Sequence, residues 1–164
     1  MRSYTQQQIL DSFRGATKSE LKRVTFPAEF DETVFDRLEY FGWHDRKIPR
    51  RAYVAVPTDG GLVSILITQA EAKPKAKAMC TWCRDVTVTC PAVLYTVRRG
   101  GPAGRKGDTI GVLICEDFSC AKNARKLPPA YHKGTDVDAI REENLAELRR
   151  RVTSFVAEVL STEE

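Results

Sequence analysis

Four cysteines stand in two pairs whose spacings suit a single metal ion. Two residues separate Cys80 from Cys83, four separate Cys115 from Cys120, and 31 residues lie between the pairs. Structural zinc sites use four tetrahedral ligands, and thiolates are among their usual donors. The pattern therefore predicts one structural Zn²⁺ per chain that organises the middle of the protein.

The spacing leaves other interpretations of these cysteines open. An iron–sulfur cluster also takes four thiolates, and one metal knuckle beside two unrelated buried cysteines would give the same sequence. A thioredoxin-like redox pair is disfavoured, because no proline lies between Cys80 and Cys83 and no helical pattern follows them. Cys90, which precedes Pro91, is expected to be a buried and inert thiol.

The sequence contains no residue set typical of an enzyme: no Ser/His/Asp combination, no glycine-rich phosphate loop and no paired carboxylates in a distinctive environment. Glu116 and Asp117 are adjacent, but they lie between two predicted zinc ligands, where they are expected to cap the following helical turn. Four thiolates also leave no open position on zinc for catalysis. These observations predict a binding protein rather than an enzyme.

Length and composition are those of one globular domain, 1–164. The chain has 164 residues, of which 42% are hydrophobic and 29% charged, so it can bury a sizeable core. No apolar stretch is long enough to cross a bilayer, and no apolar segment of the secretory type follows the charged N-terminus. We therefore expect a cytoplasmic protein, in a compartment that keeps thiols reduced.

Positive charge is concentrated in the cysteine-bearing part of the chain. Residues 71–126 contain eleven Lys or Arg and five Asp or Glu, a net charge of +6, against +4 for the whole protein. Such a surface is either a solvated face or a docking surface for an acidic partner.

The N-terminal part of the sequence predicts two helices. Thr5 and Gln8 have the spacing of a capping box, which predicts a helix over residues 6–14. A second helix is expected after Pro27 and ends near Gly42. Its apolar face consists of Val34, Phe35, Leu38 and Phe41.

The rest of the chain predicts short antiparallel strands and a long final helix. Residues 52–56 and 62–68 form a predicted β-hairpin around the turn sequence TDGG. Further strands are expected at 86–89, 93–98 and 109–114, with the last two paired and a protruding, mobile glycine-rich loop between them. The apolar stripe of residues 138–160 predicts a long amphipathic helix packed on the hairpin region, with Arg149, Arg150 and Glu158 exposed.

These elements give an α+β fold with two subdomains. Residues 1–70 form a helical and β-hairpin part, and residues 79–160 form the four-cysteine part. The lysine- and proline-containing segment AEAKPKAKA lies between them.

The cysteine blocks resemble those of a known family. MCTWCRD, then a hairpin, then KGDTIGVLICEDFSCAKNARK and a helix ending LRRRVTSFVAEVL are similar to the zinc-binding domain of the elongation factor G-binding family, whose namesakes are the FusB-type fusidic acid resistance proteins. The resemblance covers about residues 5–160. It implies a stand-alone treble-clef-like zinc finger with Cys80, Cys83, Cys115 and Cys120 as ligands.

The resemblance also implies a function. In that family the zinc domain contacts the translation factor through a basic residue in the second hairpin, matched here by Lys106, and through residues of the last helix. We expect Arg98, Arg99, Arg105 and Lys106 to attract an acidic surface, and Phe155 to supply either an apolar contact or core packing. The expected protein is an adaptor that binds elongation factor G, or another translation factor, and modulates its ribosome-bound state.

The alternative is a zinc-finger protein that binds RNA or the ribosome. The basic half of the chain suits such a partner. In this hypothesis Trp82 and Tyr95 stack on bases.

Overall fold

The protein combines an antiparallel sheet with helices, as a computed structural model shows. The structure describes residues 3–30, 35, 38–72, 76–85, 90–127 and 134–161. The elements in chain order are α1 (Gln6–Asp11), α2 (Lys18–Leu21), β1 (Phe41–His44), β2 (Arg51–Thr58), β3 (Gly61–Gln69), β4 (Ala92–Arg98), α3 (Gly101–Arg105), β5 (Thr109–Cys115), α4 (Cys120–Ala124) and α5 (Val137–Leu160). This confirms the predicted α+β class.

The five strands form one antiparallel sheet in the order β1-β2-β3-β4-β5. β2 and β3 pair from Thr58 and Gly61 outward, so the predicted hairpin is confirmed. β4 and β5 pair along their whole length, as predicted. Because β3 pairs with β4, the sheet is continuous across the expected division between the two subdomains.

The contact between β3 and β4 is short. Only Ile67, Thr68 and Gln69 of β3 face residues of β4. Beyond them the free edge of β3 is paired with the chain segment that follows α1. There Ser64 donates from its backbone N–H to the carbonyl of Ser12 (3.0 Å) and accepts from the N–H of Arg14 (2.8 Å). The sheet therefore opens between β3 and β4, with the N-terminal segment along one side of the opening.

The two faces of the sheet pack into two hydrophobic clusters, because successive strand residues point to opposite faces. The sheet–helix core lies between the sheet and α5, and includes Ala52, Val54, Ile65, Ile67, Val97, Leu148, Val152 and Val156. The N-terminal core lies on the other face, and its buried members are Ile9, Phe13, Phe30, Phe35, Trp43, Tyr53 and Ala55.

The capping box at the N-terminus is confirmed, but its helix is shorter than predicted. Thr5 accepts from the N–H of Gln8 and Gln8 from the N–H of Thr5. The helix ends at Asp11 rather than at residue 14. The reason is the pairing of the following residues with β3, which gives their backbone groups an alternative partner.

The predicted helix after Pro27 is wrong at its C-terminal end. Phe41 and Gly42 belong to strand β1 and pair with Ala55 and Val54. A Cβ at Gly42 would lie 2.5 Å from Cγ of Phe118, so glycine lets β1 pass beside that ring. Val34 lies outside the described residues, as does the predicted strand 86–89.

The long C-terminal helix is confirmed with almost the predicted bounds. Asp136 caps its start by accepting from the N–H of Ala139 (3.0 Å). Arg149, Arg150 and Glu158 are exposed, as expected. Among the described residues, no helix has the length and apolar content needed to span a membrane.

Candidate metal centre

The first cysteine pair lies on a tight turn fastened to the sheet. Thr81 donates from its N–H to the carbonyl of Leu113 in β5 (2.8 Å), and Arg84 donates to the carbonyl of Cys80 (2.9 Å). Arg84 has a φ of +52°, which reverses the chain direction just after Cys83. Within the turn the N–H of Cys83 points at Sγ of Cys80, 3.5 Å away. This is the geometry in which an amide stabilises a thiolate.

The second pair lies where β5 ends and α4 begins. Cys115 is the last residue of β5 and Cys120 the first of α4. Between them Phe118 has a φ of +57° and donates from its N–H to the carbonyl of Cys115 (3.1 Å). Asp117 accepts from the N–H of Ser119 (3.0 Å) and so orders the turn just before α4. The predicted capping by Glu116 is wrong, because its carboxylate accepts from Nε2 of Gln69 (3.0 Å) instead.

The four sulfur atoms converge on one point. All of them lie within 4.8 Å of one another. The Sγ atoms of Cys80 and Cys120 are 3.5 Å apart, and those of Cys83 and Cys115 are 3.7 Å apart. A zinc ion with bonds of about 2.3 Å to four tetrahedral sulfurs would place them about 3.8 Å from each other. The chain thus binds one Zn²⁺ through Cys80, Cys83, Cys115 and Cys120, as the sequence predicted.

The electrostatics of this site favour a bound cation. The sulfur atoms of Cys115, Cys80 and Cys83, together with burial, raise the pKa of the Cys120 thiol well above its usual range. Thiolates this close to one another cannot all remain charged without a counter-ion. Zn²⁺ supplies the compensating charge and binds the deprotonated form.

One polar side chain at the site was missed by the sequence reasoning. Asn123 is buried on α4, and its Nδ2 donates to Sγ of Cys115 (3.5 Å) and Sγ of Cys83 (3.8 Å). The same nitrogen also donates to Oγ of Ser119 (3.3 Å). One feature of the sequence indicates its role: Asn123 follows Cys120 by three residues, and residues at this spacing lie on the same side of a helix.

The sequence model of the FBP C-terminal treble-clef zinc-finger family matches residues 8–159, nearly the whole chain. The protein is a member of that family. A search of curated proteins finds no match.

Cys90 lies outside the cysteine cluster of this treble-clef zinc finger. It is half-buried, and its Sγ lies 3.6 Å from the carbonyl oxygen of Pro91. Burial raises the pKa of its thiol. The predicted burial of Cys90 is therefore wrong, since the residue is only partly buried and precedes β4, and its inertness stays a prediction.

The aromatic residues around the zinc finger are packed rather than presented to solvent. Trp82 is buried, with ring centroids 5.0 Å from Tyr40 and 5.9 Å from Phe155. Tyr95 is buried beside Phe118, at 5.7 Å. The expectation that Trp82 and Tyr95 stack on RNA bases is therefore wrong, because neither ring has a free face for a base.

The residues predicted to bind a partner fall into two groups. Arg98, Arg105 and Lys106 are exposed and Arg99 is half-buried, at the end of the β4–β5 hairpin. Phe155 is only 8% exposed and packs in the sheet–helix core of the zinc finger. Its burial favours the packing interpretation over contact with a partner.

Proposed function

We propose that this zinc finger is an adaptor that binds a translation factor, with elongation factor G the first candidate, and modulates its ribosome-bound state. Membership of the treble-clef family and the resemblance to the FusB-type proteins support this proposal. The observation that carries it is the tip of the β4–β5 hairpin, where Arg105 and Lys106 are both exposed on a short, well-held turn.

The turn containing Arg105 and Lys106 is fixed at both sides. The glycine-rich loop predicted between β4 and β5 contains the helical turn α3. A Cβ at Gly104 would lie 1.7 Å from the carbonyl oxygen of Arg99, so glycine permits this close packing. Gly100 donates from its N–H to the carbonyl of Val159 at the end of α5 (2.7 Å). The two cations are therefore displayed from a fixed position.

An adaptor of this type works by differential binding. It needs only to bind one conformation of its partner more tightly than another. Exposed cations at the hairpin tip would accelerate association with an acidic surface and orient the encounter. The four-thiolate zinc site holds the scaffold and takes no part in a reaction, since full sulfur coordination leaves no position for a substrate. The reducing cytoplasm suits both the thiolates and this partner.

The proposal is tested by reversing the two charges, with Arg105→Glu and Lys106→Glu in one variant. Surface plasmon resonance against purified elongation factor G should show a lower association rate, and the difference should shrink as salt rises, because exposed charges are screened within about 8 Å at physiological ionic strength. Zinc content and melting temperature should not change.

A matched control is available in another loop. Arg46 and Lys47 are also adjacent and exposed, so the variant Arg46→Glu/Lys47→Glu carries the same change of charge and should bind like wild type. The proposal fails if wild type has no affinity for the factor, free or on ribosomes, or if both variants weaken binding equally.

A further inference from the structure

A groove opens where β3 and β4 diverge. Its deeper part is a cavity of about 280 Å³, and its wider part a cleft of about 920 Å³ that extends to α3 and the end of α5. Arg14, Gly15, Ala16 and Arg98 line both parts, so the two form one continuous depression. The N-terminal segment forms one wall of it, and the hairpin β4–β5 with α3 forms the other.

Arginines line this groove along its length. We call it the arginine groove, after Arg14, Arg51, Arg98, Arg99 and Arg105. Among the described residues that line it, Glu20 is the one acidic residue, and it is paired with Arg98 at 3.2 Å. The groove therefore keeps a strong positive charge after its internal ion pair is counted.

The floor of the deeper part is the polar end of one sheet face. Arg51 pairs with Thr68 and Thr68 with Thr96, so the three side chains share that face. Nη1 of Arg51 is buried and has no hydrogen-bond partner within the described part of the chain. A buried guanidinium nitrogen without an acceptor is unfavourable. Because the Arg51 side chain lines the cavity, a small movement of it would bring this nitrogen to an anion there.

We propose that the arginine groove binds the sugar–phosphate backbone of single-stranded RNA. Arginine presents a planar fork of donors that matches phosphate oxygens, and a row of arginines in a long depression suits a chain of phosphates. A charged groove is the usual electrostatic element of single-strand binding. Because no aromatic side chain is among the described residues that line the groove, base stacking contributes little, and the binding shows little sequence preference.

An acidic protein surface is the other partner that such charges attract, and the shape of the site favours RNA. Arg51 lines the cavity together with the N-terminal segment and β4, and it is more buried than Arg14 and Arg98. An extended phosphate backbone can enter a narrow depression, whereas carboxylates on a folded surface reach mainly the rim. The groove shares Arg98, Arg99 and Arg105 with the surface proposed to bind a translation factor. The test therefore uses Arg14 and Arg51, which are not among the residues expected to bind that factor.

The test is fluorescence anisotropy with a labelled oligouridylate of about ten nucleotides. The variant Arg14→Gln/Arg51→Gln should bind about tenfold more weakly than wild type at low salt, and the slope of log affinity against log salt should fall by about 1.4, or 0.7 for each lost phosphate contact. The control variant Arg46→Gln/Arg149→Gln removes two exposed cations elsewhere and should bind like wild type. An oligoadenylate of equal length should bind about as well.

Several results would overturn the inference. Wild type without salt-dependent RNA affinity would do so, as would equal losses in the groove and control variants. Polyglutamate that competes as well as RNA at equal charge would assign the groove to an acidic protein instead. If Arg14→Gln/Arg51→Gln melts early, the single variant Arg14→Glu, at an exposed site, replaces it. Binding of the same proteins to elongation factor G is measured in parallel, so that a failure of the RNA inference can be distinguished from a failure of the adaptor proposal.

Discussion

At the scale of single residues, Asn123 connects the packing of α4 to the chemistry of the zinc site. Its amide donates to sulfurs from both cysteine pairs, at 3.5 Å for Cys115 and 3.8 Å for Cys83. Hydrogen bonds of this kind spread the negative charge of thiolates and hold their orientation. Asn123 thus stabilises the metal-bound arrangement without binding the metal itself.

Replacing Asn123 by alanine should lower the zinc affinity by about tenfold or more, because two thiolates lose their amide donor. The affinity can be measured by competition with a coloured chelator. Lys122→Ala is the control, since that neighbouring side chain is exposed. An unchanged affinity in Asn123→Ala would show that the N–H···S bonds have no energetic role.

The zinc ligands were predictable and their surroundings were not. Two short cysteine spacings identify a metal site because few other structures need them. Whether Trp82 or Tyr95 faces a base or the core depends on contacts with residues such as Tyr40 and Phe155, far away in sequence. Local spacing carries no information about such contacts.

At the scale of elements, α5 is the part that closes the sheet–helix core. Its buried residues are Leu148, Val152, Phe155, Val156 and Val159. The helix is also fastened to the first cysteine turn, because Nη1 of Arg151 donates to the carbonyl of Trp82 (3.0 Å). α5 therefore stabilises both the sheet and the zinc site.

Truncation of Phe155 to alanine should lower the free energy of unfolding by about 3–5 kcal/mol, because the ring is buried against Trp82 and leaves a cavity. Chemical denaturation measures this change, with the exposed Ser154→Ala as a control. A Phe155→Ala protein that unfolds like wild type but loses its partner would place the ring in the interface instead.

Regular elements with a clear period were predictable, and short irregular ones were not. The stripe of α5 and the alternation of β2 and β3 are each set by local sequence. The sequence of β1 predicts the end of a helix, because Phe35, Leu38 and Phe41 have helical spacing. Its true conformation comes from pairing with β2 and from the Phe118 ring beside Gly42.

At the scale of the whole molecule, zinc joins parts of the chain that are distant in sequence. It connects the turn at Cys80 and Cys83 with the end of β5 and the start of α4. Two ion pairs reinforce the same region: Lys126 with Asp85 at 2.9 Å, and Arg125 with the buried Glu39 at 3.5 Å. The N-terminal core lies on the opposite face of the sheet and has no member in the zinc site.

Removal of zinc should therefore loosen the protein unevenly. Hydrogen exchange after chelation should rise first in residues 78–85, 115–126 and α5, while β2, whose Tyr53 and Ala55 belong to the N-terminal core, keeps more protection. Lowering the pH should act in the same direction, because protons compete with zinc for the thiolates. Equal loss of protection throughout the chain would contradict this division.

The arginine groove could not be predicted from the sequence, although several of the elements around it could. Arg14, Arg51 and Arg98 are far apart in sequence. They meet because β3 pairs with β4 over only three residues and with the segment after α1 elsewhere. No local pattern specifies that division of the β3 edge, whereas the pairings β2–β3 and β4–β5 follow from their local sequences.

The central claim is that four cysteines hold one zinc ion, and the most direct measurement is zinc X-ray absorption on the purified, reduced protein with its metal content determined. We expect one zinc per chain with four sulfur neighbours at about 2.3 Å. Cys83→Ser should lose the metal, and Cys90→Ser should keep it. A protein without zinc, or a zinc ion bound by fewer than four sulfurs, would contradict the claim.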